Sequence, residues 1–200
     1  PWITQLYVNL SHGIMDYWFI IIPVIVAIVF AIRAFAKTDA GMHLFGKIAL
    51  KIPIFSNLTT KSAASMMART LSTLMGAGVP LIEAVDIVSG VMSNVYFKEA
   101  LQDAKEEITI GMPLSRPLQD SGLFPPMVYQ MIRIGEESGN TEEMLDKLAD
   151  YYEEEVEMAV QSLMAAMEPM IIVVLAVVVG GLIAACMMPM MSMYDALDSL

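Results

Sequence analysis

Charge is what this 200-residue sequence has least of: Asp, Glu, Lys and Arg make up 16% of it, against 56% for hydrophobic residues. Soluble domains carry about 25% charged residues, so the shortfall excludes a chain that lives wholly in water and points to a membrane. Cysteine is scarcer still. Cys186 is alone and lies in an apolar run, which excludes an internal disulfide and a cysteine-based metal site. Histidine occurs only as His12 and His43. The sequence also lacks a glycine-rich phosphate loop closed by Lys-Ser/Thr, a His-Glu-x-x-His run and a Gly-x-Ser-x-Gly elbow. It therefore offers no catalytic residue, no cofactor-binding residue and no metal ligand set, and the chain is read as a non-enzyme. Eleven basic residues face 22 acidic ones, leaving a net charge of −11. A nucleic-acid binder needs a basic stripe to neutralise phosphates, so that class is excluded too.

What is abundant is apolar sequence in long runs. Residues 15–36 contain an uncharged stretch from Tyr17 to Ile32, bounded by Tyr17 and Trp18 at one end and Arg33 and Lys37 at the other. At a rise of about 1.5 Å per residue it covers roughly 24 Å. Flanking aromatics and a snorkelling Arg33 extend it towards the roughly 30 Å of a hydrocarbon core. A second run, residues 166–191, holds no charge from Pro169 to Met191 and is long enough to span a bilayer by itself. All eleven Lys and Arg lie between Arg33 and Lys147. The positive-inside rule then places residues 37–165 in the cytoplasm, with the 1–14 loop and the 192–200 tail outside.

Between the two runs the pattern is helical throughout. Ala63, Met67, Thr70, Leu71 and Leu74 recur at helix spacing, with Lys61, Ser65, Arg69 and Ser72 on the other side. Gly76 and Gly78 suit a left-handed C-terminal cap, and Pro80 suits the first position of a second helix to about Ser89. A third helix is expected from Asn94 to Ile110, stopped by Gly111, and a short fourth carries Leu114 and Leu118. The pair Pro125-Pro126 opens a fifth helix that ends at Gly135. Thr141 caps a sixth, whose apolar stripe is Leu145, Leu148, Tyr152, Val156, Ala159 and Leu163. The expected fold is all-α: an integral membrane protein with two transmembrane helices flanking a six-helix cytoplasmic bundle.

The acidic stretch from Glu136 to Glu157 has ten carboxylates against the single Lys147. Glu143, Asp146, Asp150, Glu153 and Glu157 share one helix face, which reads as a solvated stripe because the acids fan along it, with a divalent-cation site as the alternative. Glu168 stands directly before Pro169 at the edge of the second span. It is either an interfacial residue or, in a transporter or channel subunit, a pathway residue. Within that span Ala176, Gly180 and Ala184 form a small-residue stripe that permits close helix approach.

The segment from Ala68 to Ala84, with Arg69, Gly76, Gly78 and Pro80, resembles the signature of the type II secretion F domain. So do Gly111-Met112-Pro113-Leu114-Ser115 followed by Phe124-Pro125, Gly135-Glu136-Glu137-Ser138-Gly139 followed by Leu145 and Leu148, and Glu168-Pro169 leading into a long apolar helix. The resemblance covers nearly all of the chain. It implies an inner-membrane platform protein of a type IV pilus or type II secretion machine, which couples a hexameric cytoplasmic assembly ATPase to the insertion or extraction of pilins or pseudopilins. It further implies contacts with other inner-membrane machine subunits, a homo-oligomer, and structural or coupling roles for Arg69, Gly76, Gly78, Pro80, Gly111, Gly135, Glu136, Gly139, Glu168, Pro169 and Gly180. Family members usually have two such cytoplasmic domains and three spans, so this sequence is expected to be a C-terminal half.

Overall fold

A computed structural model describes residues 19–20 and 22–198. Among these residues every regular element is a helix. They are α1 (Ile22–Ala36), α2 (Asp39–Lys51), α3 (Pro53–Gly76), α4 (Leu81–Val91), α5 (Val95–Thr109), α6 (Ser115–Asp120), α7 (Pro126–Ser138) and α8 (Thr141–Asp198). The chain divides into one compact unit of Ala36–Ser162 and another of Pro1–Phe35 with Leu163–Leu200. The expected 1–14 loop, residues 15–18 of the first apolar run and the last two residues of the tail lie outside the described residues.

The Ala36–Ser162 unit is built around one apolar core. α3 contributes Ala64, Met67, Ala68 and Leu71, α4 gives Ala84, Val85 and Val88, and α5 gives Phe97, Ala100, Leu101 and Ala104. Leu114 and Leu118 come from the α6 segment, Val128 and Ile132 from α7, and Leu145, Leu148, Ala149 and Tyr152 from α8. Phe97 and Phe124 meet edge to face with ring centroids 5.1 Å apart, a geometry that adds about 0.5–1.5 kcal/mol beyond area burial. The apolar stripe expected on α8 is therefore buried at its start, through Tyr152.

Five details differ from the sequence expectation. α2 was not foreseen, so the unit contains α2 to α7 and the first part of α8 rather than six helices. On α3 the buried face is rotated: Ser72, expected outside, is buried. α3 packs against both α2 and α4, and its Arg69 and Lys61 reach acids of α8, so its buried band is broader than a one-sided stripe. Pro80 is the N-cap residue of α4 and not its first helical residue, with ψ at 144°. α7 runs three residues past Gly135 to Ser138, and α8 starts behind Asn140, whose carbonyl accepts the first helical bond from Met144 N at 3.2 Å; no side-chain cap by Thr141 is needed there.

The helix ends explain several of the glycines. After α3, Gly78 has φ +83°, its N–H donates to Met75 O at 2.9 Å, and Val79 N–H donates to Leu74 O at 2.9 Å. That pair of bonds satisfies the last carbonyls of the helix, and Val79 and Leu74 both pack on the core. Gly139 closes α7 in the same left-handed conformation, with Asn140 N–H on Gly135 O at 2.9 Å. Gly111 follows the pattern after α5.

In the other unit, α8 runs on through Pro169 without a change of helical assignment. Among the described residues one helix, within Thr141–Met187, is long and apolar enough to cross a membrane; its most apolar stretch has mean hydropathy 2.9 and is 6% buried. α1 is a shorter apolar helix.

Gly78 and Gly135 make opposite demands, and this separates them experimentally. A Cβ at Gly78 meets nothing within 4 Å, so only its φ is strained, whereas a Cβ at Gly135 falls 2.8 Å from the Thr141 Cα. Gly78→Ala is expected to cost about 1 kcal/mol and Gly78→Asn less. Gly135→Ala should cost up to about 3 kcal/mol, because backbone must move. Thermal unfolding of the detergent-solubilised protein, followed by circular dichroism, ranks them; Gly135→Ala as the milder change would contradict this assignment.

Candidate functional site

Arg69, on α3, reaches the acidic face of α8. Its Nε donates to Glu153 Oε1 at 2.7 Å and Nη2 to Glu153 Oε2 at 3.0 Å, a bidentate pairing. Nη1 donates to Asp146 Oδ1 at 2.6 Å, and Nη2 also pairs with Asp150. Eight residues earlier on α3, Lys61 Nζ meets Glu155 Oε2 of α8 at 2.5 Å. The acids at 146, 150 and 153 are spaced by four and three residues, which stacks them on one face of α8. They converge on a guanidinium, so the face read from sequence as a solvated stripe is in part an interhelical clamp. Among the described residues no group of three or more His, Cys, Asp or Glu is placed to hold a metal ion.

The electrostatics follow from this geometry. Hydrogen bonds from Arg69 hold the Glu153 carboxyl below the usual carboxylate range, opposed by burial and by the neighbouring Asp150. The bonds to Glu153 and Asp150 in turn raise Arg69 above its already high ordinary value. Next to Glu153 in the chain, Tyr152 is buried in the core, and burial pushes its hydroxyl up to about 12, with smaller contributions from Tyr151 and Glu155.

A second contact joins two of the sequence motifs. Glu136 Oε1 accepts from Leu114 N–H at 2.5 Å and Oε2 from Ser115 N–H at 3.3 Å. The carboxylate satisfies amides at the start of α6 that the helix itself cannot pair. Pro113 precedes this turn, and Gly111 provides the φ of +92° that turns the chain out of α5. A third grouping forms where α3 ends and α8 begins. Gly76 and Gly139 line one cleft of about 730 Å³ together with Thr141, Glu142, Glu143 and Asp146. A Cβ at Gly76 would stand 2.8 Å from Glu142 Oε1, the mobile end of a side chain, so the approach there is close without being rigid.

The structure thus gathers Arg69, Gly76, Gly135, Gly139 and the first turns of α8 on one side of the unit's fold, and joins Gly111 to Glu136 through the α6 turn. Gly78 and Pro80 form the α3–α4 corner. Glu168, Pro169 and Gly180 belong to the apolar part of α8; a Cβ at Gly180 meets nothing within 4 Å. Sequence reasoning named Arg69 but missed its partners Asp146, Asp150 and Glu153, the Lys61–Glu155 pair, and Asn94. Asn94 accepts from Tyr96 N–H at 3.0 Å while its amide donates to Gly46 O at 3.2 Å, capping α5 and holding α2 against it. The helix-period spacing of the acids was the available signal for the clamp. The arrangement ties α8 to α3 through ion pairs and hydrogen bonds.

Residues 67–189 match the family described as type II secretion system (T2SS), protein F. The chain is similar to the type IV pilus assembly protein PilC of Pseudomonas aeruginosa, 45% identical over 190 residues that cover 94% of this chain and 51% of the relative. The PilC of Thermus thermophilus is 37% identical over 199 residues, 99% of this chain and 49% of the relative. The type II secretion system protein F of Aeromonas hydrophila is 28% identical over 200 residues, 99% of this chain and 51% of the relative. The chain therefore spans about half the length of the curated relatives it matches.

The clamp has a testable ionic signature. Arg69→Ala is expected to destabilise the fold by roughly 1–2 kcal/mol at low salt, a figure already discounted because these side chains are partly exposed. At 1 M salt, where the Debye length is about 3 Å, the loss should shrink. Glu153 ionises more readily in the fold than in the unfolded chain. Its contribution is present above the ordinary carboxylate range and is lost as pH falls through its depressed folded value. Denaturant titrations of wild type and Arg69→Ala should converge on acidification. A difference independent of both salt and pH would contradict the clamp.

Proposed function

The chain belongs to the type II secretion system protein F family, and on that footing we propose that it is an inner-membrane platform protein of a type IV pilus or type II secretion machine. In this reading residues 15–36 and 166–191 are transmembrane helices, and residues 37–165 form the cytoplasmic domain, with both ends of the chain external. The cytoplasmic domain engages a hexameric assembly ATPase and passes its motion to the membrane, where pilins or pseudopilins are inserted or extracted. Other inner-membrane subunits and further copies of the chain complete the platform.

The observation that carries this reading is the continuity of α8. Its first turns are seated in the core of the cytoplasmic unit and clamped by Arg69, and the same helix then supplies the long apolar segment. An α-helix transmits displacement along its axis because each backbone hydrogen bond ties one turn to the next. The composition and charge asymmetry support the topology, and the names of the relatives support the machine. Glu168 and Pro169 stand at the expected membrane boundary of this helix, which makes them boundary and coupling residues.

Proline at Ala159 tests the lever. It removes one backbone donor and clashes with the preceding turn, costing roughly 3 kcal/mol locally. Pilus assembly or secretion should fail in cells carrying Ala159→Pro while protein level and membrane insertion persist, and Ala159→Ser, which keeps the amide, should be active. An abundant, inserted and fully active Ala159→Pro protein would leave the domain as a static anchor.

A further inference from the structure

α2 turns an apolar face away from the protein. Its inner side is well occupied: Leu50 packs on the core, Gly46 lies against Asn94, and His43 meets Tyr96 edge on and Glu99 at 3.2 Å. At 100° per residue the opposite side carries Leu44, Phe45 and Ile48, which are 49%, 42% and 43% exposed. Ile52 and Phe55 continue the exposed apolar surface past the end of the helix. Lys47 and Lys51 border it along one edge.

Two further observations identify what this face meets. Residues 33–51 carry Arg33, Lys37, Lys47 and Lys51 against one acid, Asp39, in a chain whose net charge is −11. The basic excess begins here and runs on through Lys61 and Arg69, which are taken up by acids of α8, whereas Lys47 and Lys51 stand beside the apolar face. α2 also starts only two residues after the apolar α1, a link that extends to at most about 11 Å. An apolar face with a lysine rim, tied this closely to a hydrophobic helix, matches an anionic bilayer surface: the acyl boundary accepts the apolar side chains and the phosphates accept the ammonium groups.

We propose that α2 is an interfacial helix, which lays Leu44, Phe45 and Ile48 into the headgroup–acyl boundary of an anionic leaflet with Lys47 and Lys51 on the lipid phosphates. The proposal rests on the membrane-anchored reading given above. It gives α2 a distinct job: fixing the height and tilt of the cytoplasmic domain at the membrane.

The test uses the full chain with Cys186→Ser, single cysteines at Leu44, Ile48, Glu106 or Val177, and a polarity-sensitive fluorophore, in vesicles of phosphatidylcholine with or without phosphatidylglycerol. Glu106 is an exposed position on α5 and Val177 lies in the apolar part of α8. On anionic vesicles the labels at Leu44 and Ile48 should be quenched by lipids spin-labelled near the headgroup. They should be several-fold less open to a neutral water-soluble quencher than the label at Glu106. Lys47→Glu with Lys51→Glu should abolish that shielding.

If Leu44 and Ile48 are as open as Glu106 while Val177 is in lipid, the interfacial helix is wrong and the anchored reading stands. If Val177 itself is open to water, both fall. Shielding without lipid quenching would mean that a second copy or another protein covers the face, which overturns the proposal. Equal shielding on neutral vesicles, or shielding that survives the double lysine change, would overturn the phosphate contacts.

Discussion

The position of α8 rests on two contacts made by its first turns, one with the shared core and one with Arg69 of α3. Leu145, Leu148, Ala149 and Tyr152 enter the shared core, and on the adjoining face Arg69 collects Asp146, Asp150 and Glu153. The two kinds of interaction do different work. Burial of the apolar stripe supplies most of the stabilisation. The clamp, partly exposed, contributes less energy and more register: only one rotation and one height of α8 lets three carboxylates reach a single guanidinium. The same helix must then satisfy a second environment. From Pro169 to Met187 its surface carries no charge, with Met170, Ile171 and Ile172 among the exposed residues, the pattern of a helix long and apolar enough to cross a membrane.

Seen from this contact, the glycines and the motif carboxylate are devices for bringing chain segments close. Gly135 lets the start of α8 pass over α7 with no Cβ in between. Gly139 reverses the chain within one residue so that α8 can begin there. Glu136, one position from Gly135, turns the other way and pairs the amides that open α6. The sequence motif at 135–139 is thus one turn of helix whose residues serve three separate contacts. That is why it is recognisable as a short string while its members act on elements far apart in the chain.

How much of this could be read from the sequence depended on whether the signal was local. The ends of α3 and α5 were legible because Gly78 and Gly111 occupy the left-handed position that only glycine fills cheaply. The buried stripe of α8 was legible because it is periodic and one-sided. α2 was not. Gly41 and Gly46 lower its helix propensity, and its outer face is apolar, so no clean polar side marks it as amphipathic. Ser72 was misplaced because α3 is contacted from several directions. The end of α7 was set too early because Gly135 was read as a terminator, whereas its lack of a side chain serves packing inside the helix. Arg69 was singled out by the motif, but its partners are 77 to 84 residues away, a pairing that no local pattern encodes. The family match over residues 67–189 takes in Arg69 and its partners but leaves out α2 and the first part of α3.

Whether α8 is one mechanical element from the clamp into the apolar segment is read most directly by hydrogen–deuterium exchange on the protein in lipid nanodiscs, at peptides covering residues 145–175. A single helix predicts protection that continues without a gap from the clamped turns past Met158 and Met164 to Pro169. Rapid exchange confined to residues between the clamp and Pro169, flanked by protection on both sides, would show a hinge there and contradict the account.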